Sequence, residues 1–358
     1  MPSLKEIKGR INSISSTLAI TSAMKMVAAA KLQKAQMAIQ NMLPYERRLH
    51  SMLIDLMGAM NISAAASEDG SVRGSGSAER GFDQSGDRLS LSNRHDLAGM
   101  DGAYSLMAQR EVRKVAIVAF ASNSSLCGAF NSNVIREATA VINEYRASGL
   151  GDADITVYSV GRKMAEAMKK LGFPSPADFT KMSDSPSYDA ASALAQELFD
   201  GFVSGRFDKV ELVYNHYKST SSQPTTRQTY LPLSLADAIA DLQAGKIADS
   251  ASESDTNRGA EPVGAPVVRQ GSPTTEDLIV EPSKEALIAT LLPKVIRLRI
   301  FTTLLDSAAA EHAARTVAMQ LATDNGNDLL QELTLEYNKG RQQKITSEIL
   351  DIVGGSLQ

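Results

Sequence analysis

The sequence contains no tryptophan, only 5% aromatic residues and a single cysteine, Cys127, among 358 residues. A lone cysteine forms no internal disulfide, and a lone thiol suits a reducing compartment. The low aromatic content argues against an enzyme with an aromatic-lined pocket. The abundance of alanine, leucine, isoleucine and methionine instead favours long helices that pack on each other.

Long apolar runs and metal-ligand clusters are also missing. No run of about 18 apolar residues occurs, so we expect no membrane-spanning helix, and any membrane link has to pass through a partner. The four histidines are scattered, and no phosphate-binding loop follows a predicted strand. The net charge of −4 gives no overall argument for nucleic acid binding. We therefore expect no metal, no cofactor and no nucleic acid partner.

The first segment, residues 1–60, predicts one long helix with a coiled-coil seam. Ser3 is a plausible N-cap, with Glu6 completing a capping box. The seam weakens at Thr21, Lys25 and Ala28, which marks either a local irregularity or a face turned toward another partner. The seam positions alternate in steps of three and four residues: Leu4, Ile7, Ile11, Ile14, Leu18, Thr21, Lys25, Ala28, Leu32, Ala35, Ile39 and Met42.

The start of the chain is basic, with six positive charges and one negative charge before Pro44. An organelle transit peptide has the same character, but the seam continues far beyond the usual presequence length, so we expect mature structure. Two more basic groups lie in the last segment. They indicate either a solvated face or a positively charged rod that attracts acidic protein loops: Lys294, Arg297 and Arg299, and Lys339, Arg341 and Lys344.

The last segment, residues 281–358, predicts a second long helix, in which Pro293 should bend the helix or mark a restart. At 1.5 Å per residue a helix from Pro293 to Val353 is about 90 Å long. Its seam is expected to slip by about one residue after Tyr337. The positions are Leu298, Leu305, His312, Thr316, Met319, Thr323, Leu330, Leu333 and Tyr337, and then Gln342, Ile345, Ile349 and Ile352.

The middle of the chain, residues 111–240, predicts a small Rossmann-like α/β domain. Apolar runs at 114–120, 155–160 and 210–215 alternate with amphipathic helical patterns at 131–147, 162–171 and 188–203. This order favours a largely parallel sheet. The Ser-, Gly- and Asp-rich stretches on either side, 61–110 and 241–280, are expected to be flexible insertions.

Because a long heptad seam has to pack against another helix, the two terminal helices are expected to wrap on each other as an antiparallel coiled coil. The expected fold class is therefore α/β, with a long coiled-coil rod and one small globular domain. Cys127 sits where a strand meets a helix, the ligand position of doubly wound folds. It is read as a small buried residue beside a turn at Gly128 rather than as a nucleophile, since no base is near in sequence.

Several stretches resemble the ATP synthase gamma family, and together they cover both terminal helices and part of the middle domain. The matching stretches are residues 3–8, 20–32, the Leu-Cys-Gly motif at 126–131, 311–315, 318–319, 322–325, 337–342 and 345–355. The family pattern Asp-Arg-Gly before Leu-Cys-Gly is replaced here by Asn123, Ser124 and Ser125, which puts the role of that loop in doubt. The single cysteine excludes the redox switch of chloroplast members.

The resemblance implies a central-stalk rotor subunit that is not itself catalytic. In the family, the rod stands inside a hexamer of alpha and beta subunits, and its foot rests with the epsilon subunit on the membrane c-ring. Proton flow turns the ring, and the rod drives the beta subunits through their catalytic states. A peripheral position on the cytoplasmic side of a bacterial inner membrane is expected.

By the same resemblance, Met24 and Lys25 match the contact with an acidic loop of beta. Arg315, Gln342 and Thr346 match contacts with a second beta loop that couples rotation to catalysis, and residues Ile349, Ile352 and Val353 belong to the apolar tip that turns in the bearing. Two alternatives remain at this point. One is a coiled-coil scaffold that holds partners without turning, and the other is a small α/β enzyme with helical dimerisation arms.

Overall fold

A computed structural model describes residues 3–68, 106, 110–233 and 284–355. The elements follow in the order α1 (Leu4–Glu68), β1 (Val115–Phe120), α2 (Phe130–Ala147), β2 (Ile155–Val160), α3 (Arg162–Lys170), α4 (Thr180–Asp184), α5 (Tyr188–Val203), β3 (Lys209–Asn215), β4 (Thr225–Leu231) and α6 (Lys284–Gly355). The two predicted insertions lie largely outside the described residues. In the part of the chain that the structure describes, no helix is long and apolar enough to span a bilayer.

Helices α1 and α6 form an antiparallel coiled coil, which we call the rod. Thr323 Oγ1 lies 3.3 Å from Thr21 Oγ1, and Leu18 packs on Gly326. Further along, Leu4 lies against Gly340, so residue numbers decrease along α1 as they increase along α6. The expected antiparallel rod is confirmed.

The N-terminal seam is also confirmed, including its weak stretch. Each predicted seam position from Leu4 to Met42 is buried or half-buried. Ala28 is 1% exposed and Thr21 bonds to α6, so both face the partner helix within the chain. The interpretation that the seam weakens there because it turns toward another partner is wrong for these two residues. Small side chains are needed because the two helices approach closely.

The helix boundaries differ from the predictions in two places. Ser3 caps α1, with the Glu6 backbone N–H donating to Ser3 Oγ at 3.3 Å, as expected. However, α1 continues through Pro44 to Glu68 rather than ending near residue 60. Helix α6 is continuous through Pro293, so no restart occurs there. Packing against neighbouring elements keeps each helix continuous across its proline, which has no N–H group to donate.

The four strands form one mixed sheet in the order β2-β1-β3-β4. Strand β1 pairs in parallel with β2 and β3, as predicted, and β4 pairs antiparallel with β3. The sequence did not predict β4. Only its last two residues are buried, so this edge strand carries no apolar run that would have signalled it.

The sheet is covered on both faces, and the rod supplies part of one cover. One face packs against α2 and α3. The other packs against α5, the lower part of α6 and the end of α1 through a single apolar cluster. The α6 residues in this cluster are Ile288, Leu291, Leu292, Val295, Ile296, Leu298, Ile300 and Leu304. The foot of the rod is therefore a layer of the globular domain's own core.

Candidate coupling surfaces of the rod

The middle of the rod carries Met24 and Lys25, the first pair of predicted contact residues. Both side chains are half-buried on α1. They lie between Thr21, which meets Thr323, and Lys31, whose charge acts on Glu311. The antiparallel pairing therefore sets them level with the stretch of α6 just after residue 315. Met24, Lys25 and Arg315 occupy one short section of the rod.

Exposed apolar side chains surround this section. Ile20 and Val27 lie one turn before and after Met24 on α1 and are 60% and 57% exposed. On α6, Val317 and Leu321 are also exposed, one turn apart. Large apolar residues in water cost free energy, so a clustered set of them is a candidate contact surface. The heptad pattern does not indicate these positions, because it marks only residues that face the partner helix.

Arg315 is nearly buried and already has partners within the chain. Its Nη1 forms an ion pair with Glu311 at 2.7 Å, and its Nη2 donates to Ser124 Oγ at 2.8 Å. Burial raises the pKa of Glu311. Burial, followed by the charges of Arg315 and Lys31, lowers the pKa of His312 to about 4, so this ring is neutral at physiological pH. The contact of Arg315 with a beta subunit stays a prediction.

Gln342 and Thr346 lie far from that section. Along α6 they are about 40 Å from Arg315 at the helical rise of 1.5 Å per residue. Both are exposed, and the Thr346 hydroxyl donates to the Gln342 carbonyl at 2.9 Å. The predicted site residues therefore form two separate levels on the rod, not one site.

The end of α6 extends beyond its partner helix. Leu4, the first residue of α1, lies level with Gly340, so among the described residues no part of α1 faces the segment of α6 that follows. Ile349, Ile352 and Val353 are 54%, 72% and 51% exposed. The predicted slip of the seam to Gln342, Ile345, Ile349 and Ile352 is wrong. Helix α1 begins level with Gly340, so it offers no residue against which these four positions could pack.

The basic groups of α6 fall into two different settings. Arg299 is buried at 5% exposure, and Arg297 donates to Gln196 of α5 at 2.7 Å, so both belong to the domain core. Lys339, Arg341 and Lys344 are exposed near the far end. The two groups therefore differ in burial: in the lower group only Lys294 is exposed, whereas the far group lies at the surface.

The loop that follows β1 is held by a compact polar cluster. Cys127 is 1% exposed, and its Sγ lies 3.1 Å from Asn131 Nδ2. Gly128 adopts a φ of +58°, as expected for a turn. Cys127 and Phe130 pack against Ala310 of α6. The loop is therefore fitted against the rod, and Cys127 is the small buried residue that the sequence predicted.

The whole chain matches the family model described as ATP synthase, over residues 3–357. The ATP synthase gamma chain of Phocaeicola vulgatus is 47% identical over 357 residues, covering 100% of both chains. The gamma chain of Bacteroides thetaiotaomicron is 45% identical over 358 residues with the same coverage. This chain belongs to the ATP synthase gamma family.

The gamma-family fold is also found among solved structures. The rotor of the Euglena gracilis mitochondrial ATP synthase contains a chain that superposes with a TM-score of 0.51 at 18% identity, over 96% of this chain and 98% of that one. The prediction of a central-stalk rotor subunit is confirmed, because full-length relatives are gamma chains. A gamma subunit is part of the ATP synthase complex.

Proposed function

We propose that this gamma subunit transmits torque between a proton-driven c-ring at its foot and catalytic beta subunits around its rod, and that it catalyses no reaction itself. The observation that carries the proposal is the rod: two helices of one chain, packed together over most of their length, with an exposed apolar end. A paired rod spreads load over many contacts. Its foot is built into a globular domain, which gives the rod a base to turn with.

The energy to be carried sets the demand on the rod. One elementary charge that crosses 100 mV is worth about 2.3 kcal/mol, so several protons per ATP deliver on the order of 10 kcal/mol. A single hydrogen bond contributes about 1 kcal/mol net and would not bear this load alone. The extended seam between α1 and α6 supplies the many small contacts that the load requires.

The proposed partners follow the two levels of the rod. We infer that an acidic beta loop meets Met24 and Lys25, with the exposed Ile20 and Val27 beside them. A second beta loop meets Gln342 and Thr346, and Arg315 remains a proposed contact at the lower level. The tip residues Ile349, Ile352 and Val353 turn in a bearing formed by the alpha and beta subunits. The epsilon subunit and the c-ring contact the foot.

The proposed location is the cytoplasmic side of the bacterial inner membrane, with attachment through the complex. The relatives that match over the full length come from bacteria. Co-purification from membranes tests the assembly: the chain should come out with alpha, beta and epsilon, one copy per hexamer. A soluble chain free of these subunits would contradict the proposal.

Rotation itself distinguishes a rotor from a static scaffold. Because Cys127 is buried, Lys170→Cys on the exposed end of α3 gives a selective attachment point for a bead. In the immobilised complex, ATP should drive stepwise turning of the bead in one direction. A bead that stays still on complexes that hydrolyse ATP would favour the scaffold instead. Lys169→Cys, one residue earlier and also exposed, is the matched control for the attachment point.

A further inference from the structure

The carboxyl ends of β1 and β3 meet the rod between Asp306 and Arg315 of α6. In open α/β sheets, this edge is the usual ligand site. Here α6 fills the crevice: Ala121 and Ser183 face Leu304, Ser307 and Glu311 across a space that holds about one water molecule. The rod occupies the position that a ligand takes in other doubly wound domains.

Three polar contacts, at two points of this edge, join the globular domain to α6. After β1, Ser124 Oγ accepts from Arg315 Nη2 at 2.8 Å. After β3, the Tyr217 backbone N–H donates to Asp306 Oδ1 at 2.9 Å, and His216 Nδ1 lies 2.6 Å from Asp306 Oδ2. We call Ser124, His216, Tyr217, Asp306 and Arg315 the collar.

The collar grips the rod from two sides. Asp306 and Arg315 are nine positions apart on α6, which places them about 180° out of phase and about 14 Å apart along the axis. The Tyr217 hydroxyl also accepts from Gln36 Nε2 of α1 at 2.6 Å, so the loop after β3 holds both helices of the rod. A grip on opposite sides resists rotation of the rod within the domain.

The collar adds directional contacts to the packing below it. Apolar attraction is non-directional, whereas hydrogen bonds weaken steeply when the donor leaves its line with the acceptor. The lower part of α6 packs on the sheet mainly through apolar side chains, with Tyr230 donating to the Ile296 carbonyl at 2.9 Å and Arg297 donating to Gln196 of α5 at 2.7 Å. The collar therefore adds charged, directional contacts on two sides of α6, and these constrain the angle between rod and domain.

We propose that Arg315 and Asp306 are positioning residues that fix the rotational angle of the rod relative to the globular domain. This rests on the proposed torque-transmitting function. Torque then passes between domain and rod through the collar and the packed layer below it together, and the collar sets the angle at which the two are held. Loss of the collar lets the rod lag behind the domain, so ATP hydrolysis and proton movement lose their fixed ratio.

The test uses the reconstituted complex in vesicles and the double variant Ser124→Ala with Asp306→Ala. Its first readout is hydrogen exchange of the peptide that contains Tyr217, which should become about tenfold faster because a bond to a charged acceptor is lost. Its second readout is the number of protons pumped per ATP hydrolysed, which should fall. A role confined to folding would reduce the amount of complex but leave this ratio unchanged.

Ser132→Ala is the matched control, since the Ser132 hydroxyl on α2 donates only to the Ala129 carbonyl and touches no rod residue. It should leave both readouts at the wild-type level. Ser124→Ala alone removes one collar contact and keeps the ion pair of Arg315 with Glu311, so it serves if the double variant does not assemble. It should lower the pumping ratio by less than the double variant.

The proposal is overturned if collar variants exchange faster yet pump as many protons per ATP as the wild type. It is equally overturned if exchange at Tyr217 does not change in the double variant, which lacks the Asp306 acceptor. If the proposed torque-transmitting function is itself wrong, the wild-type complex hydrolyses ATP without pumping protons. Measurements on wild-type vesicles therefore distinguish a wrong function from a wrong role of the collar.

Discussion

Leu18 of α1 lies directly over Gly326 of α6, and a Cβ added at Gly326 would come within 2.6 Å of Leu18 Cδ2. The rod is thus closest where one helix offers no side chain. Gly326→Val should destabilise the chain by about 1–3 kcal/mol, because the added atoms overpack the seam. Urea unfolding of the full-length chain measures this.

Gly9 provides the control for that substitution. It is also in a helix, but nothing lies within 4 Å of an added Cβ. Gly9→Ala should therefore stabilise α1 by about 0.5–1 kcal/mol through helix propensity alone. If Gly326→Val proved neutral while Gly9→Ala stabilised, the close approach of the two helices would be disproved.

Glu211 predicts a second stability effect, in the core of the globular domain. It is 1% exposed, and it accepts from the Tyr145 hydroxyl at 2.6 Å, from Arg227 at 2.7 Å and from Lys209 at 2.7 Å. Glu211→Leu leaves these groups without their acceptor, so the variant should lose about 3–5 kcal/mol of unfolding free energy. Tyr145→Phe removes a single bond and should lose only about 1–1.5 kcal/mol.

The same network predicts an acid sensitivity. Burial works to raise the pKa of Glu211, but bonds from Arg227, Lys209 and Tyr145 outweigh it, and the net pKa is lowered. A lowered carboxyl pKa gives stability that is present above the ordinary value of about 4.3 and is lost as pH falls through the folded-state value. Unfolding curves from pH 7 to pH 3 should show the wild type approaching Tyr145→Phe as pH falls. Parallel curves would contradict this.

His216 predicts a pH effect of opposite sign. The bond to Asp306 raises its pKa, and burial and Lys218 oppose this only in part. A raised histidine pKa gives stability that is full below about 6.5 and is lost as pH rises through the folded-state value. The difference in melting temperature between wild type and His216→Gln should therefore be larger at pH 6 than at pH 9. A difference that grows with pH would refute the charged pair.

Gln342 and Arg315 should respond differently to alanine substitution. Gln342 is exposed, so Gln342→Ala should change the unfolding free energy by less than about 0.5 kcal/mol while lowering protons pumped per ATP. Arg315→Ala leaves Glu311, at 7% exposure, without its ion pair and should cost about 3–5 kcal/mol. Both variants are expected to assemble. Normal pumping by Gln342→Ala would remove it from the proposed contacts.

The sequence predicted the rod and most of the sheet because both depend on local periodicity. The heptad seam from Leu4 to Met42 and the apolar run of β1 are patterns of one segment read alone. The end of the seam near Gly340 was not predictable in this way, since it is set by where α1 begins in space. The edge strand β4 was missed because its half-exposed residues carry no apolar pattern.

The collar could not be predicted from the sequence, for a related reason. Ser124, Tyr217 and Asp306 lie in three distant parts of the chain and come together only through the parallel pairing of β1 with β3. The positions of Ser124 and Tyr217 shortly after strands gave the one available signal, and for the loop at Cys127 that signal suggested a ligand site. The residue types alone do not reveal that a helix of the same chain takes the ligand's place.

The participation of α6 in the domain core has a consequence for the order of events during synthesis. The sheet is complete once residue 231 has been made, but one of its faces is covered by residues from Ile288 onward. While the ribosome adds the intervening segment, that face has only part of its cover, and exposed apolar strands favour aggregation. The domain therefore acquires its full stability only near the end of translation, and chains truncated before Ile288 are expected to be insoluble.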